Sequence, residues 1–305
     1  MKYFVGALQV LASGICFGFL GIFARLGQQQ GLDVGELLAL RFSLAALLLW
    51  LGLYLFQPKL IRLSVKQILI SLSLGAFGYA VFSTFYFKAI EGISVPLAAM
   101  LLFTFPLFVN LGAHFVLKER MTKLQVACLI LATLGLVLLL WGDFSVQKIS
   151  AIFFGLGSGL TYSIYVLVSG RVQAQVAPLS SSLYVITATA LVLDLYNQPN
   201  IIHVIGLGWK AWALVAGIAV VSTIAPLTLF LAGLQKMKSG KAAVIVMIEP
   251  VTAAVAANFL LNEILSPLQL AGGALVLIGV LLDAFYRPET KNQTENQTSD
   301  RREAP

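Results

Sequence analysis

Charge is what this sequence has least of. Asp, Glu, Lys and Arg make up 11% of its 305 residues, against 59% hydrophobic residues, whereas a soluble domain carries roughly one-quarter charged residues. So few charges exclude a soluble globular enzyme or binding domain of this length. Histidine and cysteine are scarce as well, at two each. Cys16 and Cys128 both fall inside apolar stretches, where a disulfide framework has no reason to form, and they read as small core residues. His-Glu-x-x-His, Gly-x-Gly-Asp and Gly-x-Ser-x-Gly do not occur. Gly240-Lys241 lacks both the earlier glycine and the following Ser or Thr of a phosphate loop, and there is no soluble stretch for a nucleotide domain. A membrane-embedded enzyme and an ATP-driven pump therefore find little support. No catalytic residue, metal ligand or cofactor is expected.

What is present is long apolar sequence. Polar and turn-forming residues cut the chain into ten segments, near residues 3–24, 34–56, 67–87, 94–117, 123–141, 149–169, 180–196, 210–232, 240–261 and 267–286. Each approaches the roughly 20 residues that a helix needs to cross a hydrocarbon core of about 30 Å. In lipid every backbone group must be satisfied internally, and these runs are continuous rather than alternating, so the expectation is an all-α membrane bundle. The first segment is too long for a signal-peptide core and has no clear cleavage site, so it is expected to be retained.

The chain also repeats itself. Shifting residues 86–141 by 144 positions lays them without a gap on 230–285, matching Pro106 to Pro250, Glu119 to Glu263, Gln125 to Gln269 and Gly135 to Gly279. Near the front of each half, Ser13-Gly14 meets Ser158-Gly159 at a shift of 145. One unit of five helices thus appears twice, over 3–141 and 149–286. An odd number of crossings makes the second copy enter the membrane from the opposite side, the inverted repeat of many secondary transporters, whose sites lie between the copies.

Basic residues give the orientation. With the N-terminus cytoplasmic, 15 of the 20 Lys and Arg fall on that side, including Lys59, Arg62, Lys66, Lys118, Arg120, Lys123, Lys238 and Lys241. Arg25, Lys88, Lys148 and Lys210 lie opposite, and Arg41 lies within a helix. The positive-inside rule places both termini in the cytoplasm. The same bias accounts for the net charge of +7, so nucleic acid is not an expected partner. Residues 287–305 read as a disordered cytoplasmic tail, in which the sequons at Asn292 and Asn296 are chance matches.

Polar residues inside the spans are the site candidates. Glu249 lies mid-helix before Pro250, whose missing N–H should bend the ninth helix, as Pro106 should bend the fourth. A carboxyl at that depth is costly unless it is protonated, paired or facing water. Its counterpart in the first half is Phe105, so it breaks the repeat symmetry. Two readings stand: a protonatable group that couples proton to substrate movement or contacts a substrate ammonium, and a carboxyl that hydrogen-bonds the bent backbone. Arg41 likewise either binds a substrate carboxylate or phosphate, or pairs with Glu36 or Asp33 one and two turns away, or snorkels. Tyr79, Phe82 and Tyr86 share a face of the third helix, and Ser158, Tyr162 and Tyr165 a face of the sixth. Phe103, Leu107, Asn110 and His114 share one of the fourth. These stripes are candidates for a central wall, with packing as the plainer reading. Gly14 with Gly18, and Gly155 with Gly159, have the spacing of close helix packing.

These residues resemble a known family. Ala-Leu-Arg-Phe-Ser-Leu-Ala-Ala-Leu-Leu-Leu at 39–49, Thr-Phe-Pro-Leu-Phe-Val at 104–109 leading to Lys-Glu-Arg at 118–120, and Ile-Glu-Pro-Val-Thr-Ala at 248–253 leading to Asn-Glu at 262–263 resemble the ten-helix EamA-type members of the drug/metabolite transporter superfamily. The resemblance covers residues 5–286. It implies two inverted repeats in an inner or plasma membrane that move small metabolites, commonly amino acids, usually outward. Lys118 and Asn262 stand where the family habitually has Gly, a departure that bears on how those helices end. The expected partners are a small-molecule substrate, the lipid bilayer and protons. Substrate, direction, coupling and oligomeric state stay open, as do efflux of drug-like compounds or nucleotide-sugar-type metabolites and a receptor or scaffold role without transport.

Overall fold

The computed structural model describes residues 1–119, 121–142, 144–172 and 175–285. The tail at 287–305, with Asn292 and Asn296, and Arg120 of the Lys-Glu-Arg motif lie outside the described residues. Ten helices carry the fold: Lys2–Gln29, Val34–Phe56, Val65–Ile90, Val95–Phe115, Lys123–Leu139, Ile149–Val172, Pro178–Asn197, Trp209–Leu234, Ser239–Leu261 and Pro267–Phe285. They are called the first to tenth spans below. The fifth, at 17 residues, is the shortest, and the described residues contain no strand beyond an isolated bridge between Ile93 and Val146. The protein is an all-α membrane bundle of ten spans in two inverted repeats.

Local chemistry sets the span ends. Asp33, Ser64 and Thr122 cap the second, third and fifth spans, each in a reciprocal box with Glu36, Gln67 or Gln125. Ser266 and Gln269 repeat the Thr122 and Gln125 exchange 144 residues on. The first span runs to Gln29, five residues beyond the sequence expectation, because its last turns have a partner: Phe23 packs on Gly217 of the eighth span.

The fourth and ninth spans end alike. Lys118 and Asn262 both adopt φ 55°, and the following amides, of Glu119 and Glu263, return to Ala113 O at 2.9 Å and Ala257 O at 3.3 Å. The substitution of the family's habitual glycine therefore leaves the left-handed helix stop in place. A lysine in that conformation is strained by about 1–2 kcal/mol. Lys118→Gly is expected to raise the melting temperature of the purified protein, by about 1 kcal/mol of stability, and an unchanged or lower midpoint in a thermal scan would contradict this.

Both spans expected to bend, those of Pro106 and Pro250, are interrupted just before the proline. Helix Val95–Leu102 stops before Phe105–Phe115, and Ser239–Ile245 stops before Ile248–Leu261. Pro106 and Pro250 lack the N–H that would meet Leu102 O and Val246 O. Those two carbonyls mark the places where another helix approaches closely. A Cβ on Gly159 would lie 3.0 Å from Leu102 O, and one on Gly14 would lie 3.1 Å from Val246 O. The sixth span thus seats on the fourth, and the first on the ninth, at positions related by the repeat.

The third and eighth spans each contain a π-turn, Leu74–Tyr79 and Val220–Ile224, at overlapping positions of the repeat. The wider turns leave carbonyls that hydroxyls satisfy. Thr189 Oγ1 donates to Gly75 O at 3.2 Å, and Thr223 Oγ1 to Ile218 O at 3.0 Å. Nothing in the apolar pattern of these spans marks the extra residue.

Candidate functional site

The second span positions Arg41. Its N-terminal box consumes Asp33 and Glu36: the Asp33 side chain accepts from Gly35 N at 2.9 Å, and Glu36 accepts from Asp33 N at 3.2 Å. Glu36 also lies 3.1 Å from His203 Nδ1. The expected pairing of Arg41 with these carboxylates does not occur, and neither does snorkelling, since Arg41 is only 6% exposed. Helix geometry explains the outcome. The capping carboxylates fold back on their own first turn, while Arg41 lies on the inward face that runs through Leu38, Phe42 and Ala45. Its guanidinium stands 4.5 Å from the centroid of the Phe42 ring.

That inward direction brings Arg41 to Glu249, which comes from the opposite repeat. Arg41, Tyr79 and Glu249 interact electrostatically with one another, and Tyr86 and Tyr162 with Glu249. The position of Glu249 follows from the Pro250 bend, where its amide meets Val246 O at 3.0 Å and the first span's Gly14 and Gly18 lie against its backbone. Among the described residues no side chain donates a hydrogen bond to its carboxylate, and the three ion pairs, Arg25–Glu263, Glu36–His203 and Lys241–Asp283, lie elsewhere.

Aromatic rings close the same centre. Tyr79 lies 4.6 Å from Phe82 and 5.3 Å from Tyr165, and Tyr162 lies 4.5 Å from Phe82 and 4.7 Å from Phe105. The stripes on the third and sixth spans therefore face each other across the repeat boundary, joined by Phe105, the counterpart of Glu249. Tyr79, Tyr162, Tyr165 and Phe105 are buried, while Phe82, Tyr86 and Glu249 remain partly accessible. A surface recess beside Gly52, Phe56 and Gln57 lies away from this centre.

Of the residues singled out in the sequence, Arg41, Tyr79, Tyr86, Tyr162, Tyr165 and Glu249 come together. Asn110 does not join them. Its amide donates to Pro106 O at 2.8 Å and Gly240 O at 3.4 Å, tying the fourth span to the start of the ninth. His114, on the same face, is exposed.

Three groups escaped the sequence reading. Lys241, counted there only among the cytoplasmic-side charges, is 4% exposed, 3.7 Å from the Asp283 carboxylate and 2.9 Å from the Tyr3 hydroxyl. It lies in the first turn of the ninth span, where every residue from Ser239 to Ile248 is buried. Asp194 accepts from Ser43 Oγ at 2.6 Å, joining the second and seventh spans. Phe42 supports Arg41. A scan for acids inside spans would have found Asp194 and Asp283, each in the last turn of its span.

Both halves of the chain match the EamA-like transporter family, at residues 4–141 and again at 149–284. The chain belongs to that family. It is therefore an integral, multi-pass membrane transporter of the drug/metabolite transporter superfamily rather than an enzyme by kinship. A transporter of Archaeoglobus fulgidus is 28% identical to this EamA-like chain over 282 residues, spanning 92% of it and 96% of the relative. The threonine/homoserine exporter RhtA of Escherichia coli strain K12 is 27% identical over 263 residues, 83% of each chain. A protein known from a crystal structure shares the EamA-like fold at a TM-score of 0.76 and 17% identity, covering 98% of this chain and 99% of its own.

Proposed function

We propose that this EamA-like transporter is a secondary transporter that exports small metabolites, amino acids first, across the inner or plasma membrane. The observation that carries the reading is the centre itself. A buried cation from one inverted repeat, Arg41, lies within electrostatic reach of a part-buried acid from the other, Glu249, beside an aromatic wall built by both. Intramembrane charges of this kind mark substrate and ion pathways, and sites between inverted repeats are those that alternating access exposes to each side in turn. The relative named as a threonine/homoserine exporter supports amino acids as the first class to test. The basic residues support cytoplasmic termini, and Glu249 is the group to which proton coupling is assigned.

Counterflow tests this. Purified protein in vesicles holding a high internal concentration of mixed amino acids is expected to accumulate trace labelled amino acids from outside, above protein-free vesicles, with no energy source. Leaving out one internal amino acid at a time identifies the substrate. Folded protein that accumulates none overturns the amino-acid reading. Transport by Glu249→Gln that is normal at every pH removes the coupling assignment.

A further inference from the structure

Resting on that reading, we infer that Arg41 and Glu249 are the two poles of a zwitterion site, Arg41 holding the α-carboxylate of an amino acid and Glu249 its α-ammonium. Arg41 Nε is buried and has no hydrogen-bond partner. A buried donor on a charged group is costly to leave unmade, and Asp33 and Glu36, the carboxylates on its own helix, are engaged in capping. Glu249 offers a carboxylate that accepts no hydrogen bond from a described side chain, although Arg41 lies within electrostatic reach. Two opposite charges that served only to neutralise each other would close into an ion pair, because each is stabilised most by direct contact. Here they stand opposed without closing.

A zwitterion satisfies both ends together. Its carboxylate accepts the Nε–H of the guanidinium, which lies over the Phe42 ring, and its ammonium donates to Glu249. Net charge in the site does not change, so neither protein group is left buried and uncompensated. A molecule with one pole leaves the other group unmatched. The site therefore selects amino acids against amines, which include drug-like cations, and against simple carboxylic acids. The rings of Phe82 and Phe105, 4.5 Å and 4.7 Å from that of Tyr162, supply with it an uncharged wall for the side chain.

The test uses full-length protein in vesicles and three probes: the amino acid that gives the strongest wild-type counterflow, its amide, which lacks the carboxylate, and its des-amino acid, which lacks the ammonium. Wild type is expected to be inhibited by the amino acid at concentrations roughly tenfold or more below either analogue. Arg41→Gln is expected to lose roughly tenfold in affinity for the amino acid while its response to the amide changes little. Glu249→Gln is expected to show the converse, sparing the des-amino acid. A merely structural role would weaken all three probes in proportion, and that result overturns the inference. Equal inhibition of wild type by all three overturns it without any variant, which keeps the test valid where a neutral variant does not fold. Absence of amino-acid counterflow in folded wild type overturns the amino-acid reading itself, a different result from transport without discrimination.

Discussion

Gly135→Leu is expected to abolish the folded protein. The fifth and tenth spans meet backbone to backbone: a Cβ on Gly135 would lie 2.6 Å from Val276 N, 2.7 Å from Gly272 O and 2.9 Å from Leu275 Cβ. Gly272 presses in turn on Leu139 N and Gly135 O, and Gly279 lies 2.9 Å from Cys128 O by the same measure. The repeat maps Gly135 to Gly279 and Cys128 to Gly272, so the seam carries both halves of a two-fold relation. Small residues let lipid-embedded helices associate through close packing alone, and here no flexible side chain is available to yield. Leucine must force the two spans apart, a loss of about 3 kcal/mol or more. Gly52→Leu is the matched control, since nothing lies within 4 Å of a Cβ at Gly52. Size-exclusion profiles in detergent should show a sharp peak for Gly52→Leu and none for Gly135→Leu. A sharp Gly135→Leu peak with the wild-type melting temperature would mean that the seam opens easily.

Lys241→Met is expected to destabilise nearly as strongly. Asp283 is 1% exposed and Lys241 4%, and the lysine also donates to Asp283 O at 3.0 Å. Removing one member of a buried pair leaves a charge without a counterion and costs about 3–5 kcal/mol, whereas replacing both by apolar groups of similar size is close to neutral. The double variant Lys241→Met/Asp283→Leu should therefore recover most of the melting temperature lost in Lys241→Met. Additive losses in the double variant would show that the two residues act separately.

The spans, the repeat and the two bends were legible because each has a one-dimensional signature: hydrophobic length, a constant shift, and a proline with no N–H. Glu249 and Arg41 were legible as charges at a depth where charge is rare. Which partners they meet was not. Glu36 is nearer to Arg41 in sequence than Glu249 by two hundred residues, yet the N-cap at Asp33 claims it, and the choice is made by direction around the helix. The pairing of Lys241 with Asp283 spans 42 residues and depends on how the last two spans pack, so a loop-like lysine beside Gly240 gave no sign of burial. The π-turns leave no mark either, because the carbonyl they free is satisfied by a threonine that a helix would equally accept. Asn110 shares a helical face with Phe103, but the Pro106 bend separates the two and turns the amide toward Gly240.

Phe105 and Glu249 occupy the same place in the two copies. A bundle assembled from one unit and its inverted twin presents identical walls to the two aqueous compartments, so inside and outside are interchangeable wherever the copies agree. Vectorial information resides only where they disagree. At the centre the copies disagree twice, in the ring exchanged for a carboxylate and in Arg41, since the matching span Pro178–Asn197 carries no basic residue, and together these give the scaffold a handed interior.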